Sequence, residues 1–299
     1  MKVLAVLSAL TLAQNAVLTS NDTPEVLRAV GAALKQGYLY PDIGQRLSDL
    51  LETKLATGEF AGIRNPVELG DSITSLLQKE TNDPHLIVWA AGGAPAALRS
   101  ITGTPMVARA ERLAGNIGYI DLRTFIGKVE KVDAAFAAVQ EPSALIIDVG
   151  QNLGGDPPVV QYISSYLFAE RTHLLDTLAR EDAVPQERWT LDRVAGQRLP
   201  DIPVYVLTSG RTFSAAESFA FGLQVAKRAT IVGERTRGGG HFVRPQLLPR
   251  GFQMLVPIGR AYDPRTGKGW QADGIMPNIE VPYSQALATA IADAQRRIR

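Results

Sequence analysis

The sequence predicts an α/β protein with a largely parallel central sheet, preceded by a small N-terminal helical unit. Three observations predict it. After Asp83, short apolar runs flanked by Gly, Pro or Asp recur at Leu86 to Trp89, Ile117 to Leu122, Ala144 to Val149, Val204 to Leu207 and Thr230 to Val232. Such runs read as buried strands. Helical stretches near 129–139, 157–169 and 214–227 separate several of them, and that alternation marks a sheet covered by helices on its faces. Before Asp83, apolar residues recur at helical spacing instead.

In the N-terminal unit, Thr23-Pro24 predicts an N-cap followed by proline at the first helical position, with Val26, Leu27, Val30 and Leu34 on one face. A second helix carries Ile43, Leu47, Leu50, Leu51 and Leu55, and Gly58 suits its C-terminal stop. A third starts at Asn65-Pro66, with Glu68 placed for a capping box, and buries Ile73, Leu76 and Leu77. Short amphipathic helices joined by short loops predict a small helical bundle. Later, Gly251 to Asp263 predicts further strand with turns, and Ser284 to Arg297 closes the chain with an Ala-rich amphipathic helix. The expected division is 1–16, 17–82 for the helical domain and 83–299 for the α/β core.

Composition narrows the function classes. Thirty-one Lys+Arg against 30 Asp+Glu give a net charge of +1 over 299 residues. That balance argues against nucleic acid or an anionic membrane as a partner. Cysteine is absent, which excludes disulfides and thiolate chemistry, and the only histidines are His85, His173 and His241. No metal and no cofactor is expected. Lys2, the apolar run Val3 to Ala13, and the small residues Ala13 and Ala16 resemble a secretory signal peptide, implying a periplasmic or secreted protein. That run is too short for a stable membrane span, and no later segment is apolar for long enough.

Four segments could carry chemistry. The run Val204 to Leu207 leads through a polar turn containing Gly210 to a helix starting at or near Ser214. A serine at a helix N-terminus lies where backbone N–H groups favour a developing negative charge. Ser214-x-x-Glu217 is equally the pattern of an N-terminal capping box. Asp148-x-x-x-Asn152-x-Gly154-Gly155 follows another strand; its glycines would let backbone approach a ligand and offer oxyanion donors, or form an ordinary turn. Gly238-Gly239-Gly240-His241 implies a loop of unusual backbone freedom. Asp83-Pro84-His85 places a histidine at the junction of helical unit and core, where it can act as a base at neutral pH.

Taken in order, Asp83-x-His85, Gly118-Tyr-Ile, Ile147-Asp148 with Asn152-x-Gly-Gly, Thr212-Phe-Ser-Ala-Ala-Glu217 and Val232-Gly-Glu-x-Thr-x-Gly-Gly-Gly resemble the tail-specific, or C-terminal-processing, serine peptidase superfamily. Gly274-Ile-x-Pro277-Asn278 resembles its closing motif. The interval from His85 to Gly115 is too short for the PDZ domain of the bacterial processing proteases. The lysine of their Thr-Phe-Gly-Lys-Gly motif is replaced by Gly239, and the following glutamine by Val243. The chain therefore resembles the PDZ-less branch of interphotoreceptor retinoid-binding protein and the catalytic domain of tricorn protease. Gln271 stands where tricorn-like enzymes carry a supporting glutamate, and Pro84 where tricorn has a serine.

That resemblance implies a crotonase-like (ClpP-like) spiral of ββα units behind the helical bundle. It implies acyl transfer on a peptide or unfolded-protein substrate: Ser214 as nucleophile, His85 as base with His241 as runner-up, the N–H groups of Gly154, Gly155 and Ala215 around the oxyanion, and Glu217 and Gln271 in support. The rival it implies is a non-catalytic binder of an apolar ligand, retinoid-like or fatty-acid-like, or of a peptide.

Overall fold

The computed structural model describes residues 17–19 and 21–298, so the expected signal peptide at 1–16 lies outside the described residues. In chain order the first elements are α1 (Asp22–Gly37), α2 (Pro41–Ala56), α3 (Pro66–Thr81), β1 (Ile87–Ala90), α4 (Ala96–Gly103), β2 (Val107–Leu113), β3 (Ile117–Leu122), α5 (Glu130–Ala138) and β4 (Ala144–Asp148). Then come α6 (Pro157–Ser165), β5 (His173–Ala179), β6 (Gln186–Trp189), β7 (Val204–Thr208), α7 (Ala215–Val225), β8 (Thr230–Gly233), β9 (His241–Leu247), β10 (Phe252–Tyr262), β11 (Ile279–Glu280) and α8 (Tyr283–Ile298). No helix among the described residues is long and apolar enough to cross a membrane.

The chain divides into two units. One contains the described residues up to Leu98 with Leu178–Val184 and His241–Arg260. In it, α1 begins at Asp22, one residue before the expected cap, because the Asp22 carboxylate accepts from the N–H and Oγ1 of Thr19, both at 2.7 Å. Thr23 and Pro24 therefore occupy the first turn. The Asn65 side chain caps α3 by accepting from the N–H of Val67 and of Glu68 at 2.9 and 3.4 Å. At the other end, Asn82 takes the left-handed conformation, φ +51°, and breaks the helix directly before Asp83. Val30, Leu34, Leu47, Leu51, Ile73 and Leu77 of these helices pack with Leu86, Val88, Phe252 and Met254. Burying each such side chain contributes about 1.5–3 kcal/mol. β1, β9 and β10 consequently group with the helices: β10 pairs antiparallel with both strands, and Arg260 lies opposite His241.

The other unit comprises Arg99–Thr177, Pro185–Gly240 and Ala261–Arg299. Its six-stranded sheet has the order β11-β8-β7-β4-β3-β2, with every neighbouring pair parallel except β2–β3. Both faces are covered, which is why its strands read as unbroken apolar runs. Ile120, Leu122, Leu145, Ile147, Val204, Val206 and Ile231 share one cluster with α5, α6 and α7. Ile117, Tyr119, Ile146, Tyr205, Leu207 and Val232 share the opposite one with Ala286, Ala290 and Ala294 of α8. The loops that follow β3, β4, β7 and β8 leave from the carboxyl edge of this parallel sheet, where open α/β sheets place their sites.

Candidate active site

The turn between β7 and α7 is tied down before it delivers its serine. Ser209 N–H donates to Thr212 Oγ1 at 3.0 Å, and that hydroxyl donates to the Val149 carbonyl at 3.0 Å. Phe213 N–H then donates to the Asn152 carbonyl at 3.1 Å. Ser214 follows at φ +56°, ψ −120°, and α7 starts at Ala215. A non-glycine residue held there costs about 1–3 kcal/mol, and strain of this kind persists where surroundings over-determine it.

Those surroundings are the glycine turn after β4. A Cβ on Gly154 would lie 3.0 Å from both Ser214 Cβ and the Ala215 nitrogen, and its φ is +109°. Only glycine lets the two turns approach so closely. Buried Asn152 holds this turn, its Nδ2 donating to the Leu122 carbonyl at 3.1 Å and its Oδ1 accepting from Gly154 N–H at 2.8 Å. The Gly154 amide is thus committed within the turn. The amides of Gly155 and Ala215 have no acceptor among the described residues.

Glu217, fully buried one turn into α7, links Ser214 to the glycine loop after β8. Its carboxylate accepts from Ser214 N–H at 2.8 Å, Thr236 Oγ1 at 2.6 Å, and the N–H groups of Gly238 and Gly239 at 2.7 Å each. Burial pushes its pKa up, and these four hydrogen bonds offset that only in part. The loop is also fixed from its far side. Gly240 N–H donates to Gln271 Oε1 at 2.7 Å, and Trp270 Nε1 donates to the Gly239 carbonyl at 3.0 Å. At Gly238, φ +91°, a Cβ would lie 2.7 Å from the Ala272 carbonyl. Its glycines serve close packing, not looseness.

A second buried carboxylate steadies the start of the Gly154 turn. Asp148 accepts from Gly150 N–H at 2.9 Å, from Tyr119 Oη at 2.9 Å and from Tyr283 Oη at 3.0 Å. Burial raises its pKa against those bonds. Tyr283 opens α8, 135 residues away, and no local pattern marked it.

In the other unit, two histidines converge on Asp83. Asp83 Oδ2 lies 2.7 Å from His241 Nδ1 and accepts from Tyr38 Oη at 3.3 Å, while Oδ1 accepts from His85 N–H at 3.0 Å. His85 Nδ1 is 3.8 Å from Oδ1, and all three side chains are buried. Burial acts to raise the Asp83 pKa, but the hydrogen bond and charge of His241, with the charge of His85, hold it below the usual carboxylate value. An ionised Asp83 at this distance accepts a hydrogen bond from His241 Nδ1 and so fixes the orientation of the ring. The Asp-x-His spacing was visible in sequence; that its aspartate orients His241 was not.

The expected site residues therefore fall into two groups. Ser214, Glu217 and Gln271 are tied by hydrogen bonds around the glycine loop, and Gly154 packs on Ser214 and Ala215 with Gly155 beside it in the same turn. His85 and His241 share Asp83. Among the described residues, no group of three or more His, Asp or Glu side chains is arranged to hold a metal ion.

Comparison with known proteins bears on both groups. Residues 116–281 match peptidase family S41, and residues 6–113 match the N-terminal domain of peptidase S41 in eukaryotic IRBP. A carboxyl-terminal-processing protease of Synechocystis sp. is 32% identical over 203 residues, covering 65% of this chain and 46% of that protein. The chain spans less than half the length of the curated relatives it matches. A candidate peptidase from Parabacteroides merdae superposes with a TM-score of 0.69 at 20% identity, covering 94% of this chain and 97% of that one. Tricorn protease superposes with a TM-score of 0.62 at 13% identity, covering 92% of this chain and 37% of its own. At such identities these two likenesses concern the fold alone.

Proposed function

Because the chain belongs to peptidase family S41, we propose that it is a serine-type peptidase acting through an acyl-enzyme on Ser214. The observation that carries this reading is the strained serine at the head of α7, its amide held by Glu217 and its flank against Gly154. A helix cap alone would need no such backbone. Ser214 Oγ attacks the peptide carbonyl. The Ala215 and Gly155 amides hold the oxyanion; Gly154, whose N–H is already engaged, shapes the turn instead.

The proton goes to a histidine. His241 is the imidazole favoured for that role, since Asp83 holds its Nδ1 at 2.7 Å and so orients the ring. His85 donates its backbone to the same aspartate and stands as the alternative base. Residues 17–82 are the helical domain of this reading and 83–299 a crotonase-like peptidase core. The substrate is a peptide or unfolded protein, met in the periplasm or outside the cell.

A fluorophosphonate probe tests the proposal. Labelling should map to Ser214, vanish in Ser214→Ala and slow strongly in His241→Ala. Labelling indifferent to all of Ser214→Ala, His241→Ala and His85→Ala would overturn it, leaving the apolar-ligand binder to be tested with a fluorescent fatty acid or retinol.

A further inference from the structure

We propose that Arg237 determines specificity, favouring peptides that carry a carboxylate near the scissile bond; this rests on the peptidase reading above. Arg237 lies in the Thr236-Arg237-Gly238 turn, between two residues that bind Glu217. Its own N–H donates to the Thr212 carbonyl at 3.1 Å, two residues before Ser214. Its guanidinium is held 4.9 Å from the centre of the Phe213 ring, and Phe213 is the residue immediately before the nucleophile. Backbone and side chain are thus both registered to the Ser214 turn.

Among the described residues, no carboxylate pairs with that charge. The Arg237 side chain is exposed. Neighbouring Arg235 differs, since its Nη1 donates to the Asp273 carbonyl at 2.9 Å. Stacking on an aromatic face engages the guanidinium's flat surface and leaves its N–H edge for a carboxylate, which it can hold bidentately. Arg237 stands where the Thr-Phe-Gly-Lys-Gly motif of the processing branch has phenylalanine, so a charge replaces an apolar ring there. A carboxylate could come from an Asp or Glu side chain or from a free C-terminus.

The test compares matched fluorogenic peptides on the full chain. One pair differs by Asp against Asn beside the cleaved bond, the other by a free against an amidated C-terminus. At least one pair should show about a tenfold preference in kcat/KM for the carboxylate, the size expected of a charge-assisted hydrogen bond. The preferred pair identifies the source. The ratio should collapse towards one in Arg237→Gln, survive in part in Arg237→Lys, and shrink with added salt. Being internal to each variant, it is insensitive to partial loss of folded protein.

Arg211, also exposed and three residues before Ser214, supplies the control. A ratio near one in wild type, a ratio that Arg237→Gln retains, or one that only Arg211→Gln removes overturns the proposal. If no peptide is cleaved, the same pairs are titrated onto Ser214→Ala by fluorescence anisotropy. A carboxylate preference lost in Ser214→Ala/Arg237→Gln then upholds Arg237 while the peptidase reading fails. No preference in binding sinks the Arg237 assignment by itself.

Discussion

Asp83 and Glu217 are both buried carboxylates, each with several partners, yet their pKa values move in opposite directions. Around Glu217 the partners are three backbone N–H groups and one threonine hydroxyl, all neutral. Hydrogen bonds from neutral donors only partly repay the lost hydration, so its pKa rises. Around Asp83 stand two imidazoles, which can bring charge as well as hydrogen bonds, and its pKa falls. Glu217 is therefore a staple that shapes backbone, whereas Asp83 draws two imidazoles together.

The largest expected effect lies on the Asp83 side. His241→Ala and Asp83→Asn should each lower kcat/KM by about 10²–10⁴, the usual worth of a positioned general base. His85→Ala should cost less than about tenfold on the same scale. Steady-state kinetics on one peptide decides it, and a reversed order of the two histidines would exchange their roles.

On the Glu217 side the main effect should be on stability. Glu217→Gln turns an amide NH₂ towards backbone donors and should cost about 2–3 kcal/mol in urea denaturation. A variant that unfolds like wild type would show that the carboxylate is not the staple described here. Gly154→Ala should come next, at about 1–3 kcal/mol, because its Cβ would press on Ser214 and its backbone would be strained. Its activity should fall further than its stability, since the Cβ displaces the serine itself.

The smallest effect is a pair of opposed pH slopes. Asp83 has a depressed pKa, so the stability it adds is present above its ordinary value of 3.8 and is lost as pH falls through the folded value. Glu217 has a raised pKa, so its favourable term is present below its ordinary 4.5 and is lost as pH rises through the folded value. Stability differences between wild type and Asp83→Asn, and between wild type and Glu217→Gln, should therefore slope with opposite sign. Parallel slopes would erase the distinction between the two carboxylates.

Much of the fold was legible in the chain. The runs at 117–122, 144–149, 204–207 and 230–232 correspond to β3, β4, β7 and β8, because strands buried on both faces must be apolar throughout. Partly buried β2, β5, β6 and β9 gave no such signal, since one face of each is polar or exposed. The helix at Ala96–Gly103 was also not foreseen.

At the site, each of Ser214, the glycine pair and Glu217 was a weak signal locally, and only the order of the motifs along the chain, through the family they resemble, singled them out. The bond from Ser214 N–H to Glu217 was legible as a capping box, but the bonds of Glu217 to Thr236, Gly238 and Gly239 were not. Nor was the partner of His241, which lies 158 residues away in sequence. By itself, then, the sequence determined the alternation of elements, set by short-range periodicity, and its ordered motifs, through their family resemblance, singled out Ser214 as the serine to test. Only tertiary structure decided that Ser214 is strained, that Glu217 staples three glycine-loop donors, and that Asp83 orients His241. Those are pairings between distant segments, and hydrogen-bond geometry, unlike hydrophobic period, leaves no trace in local spacing.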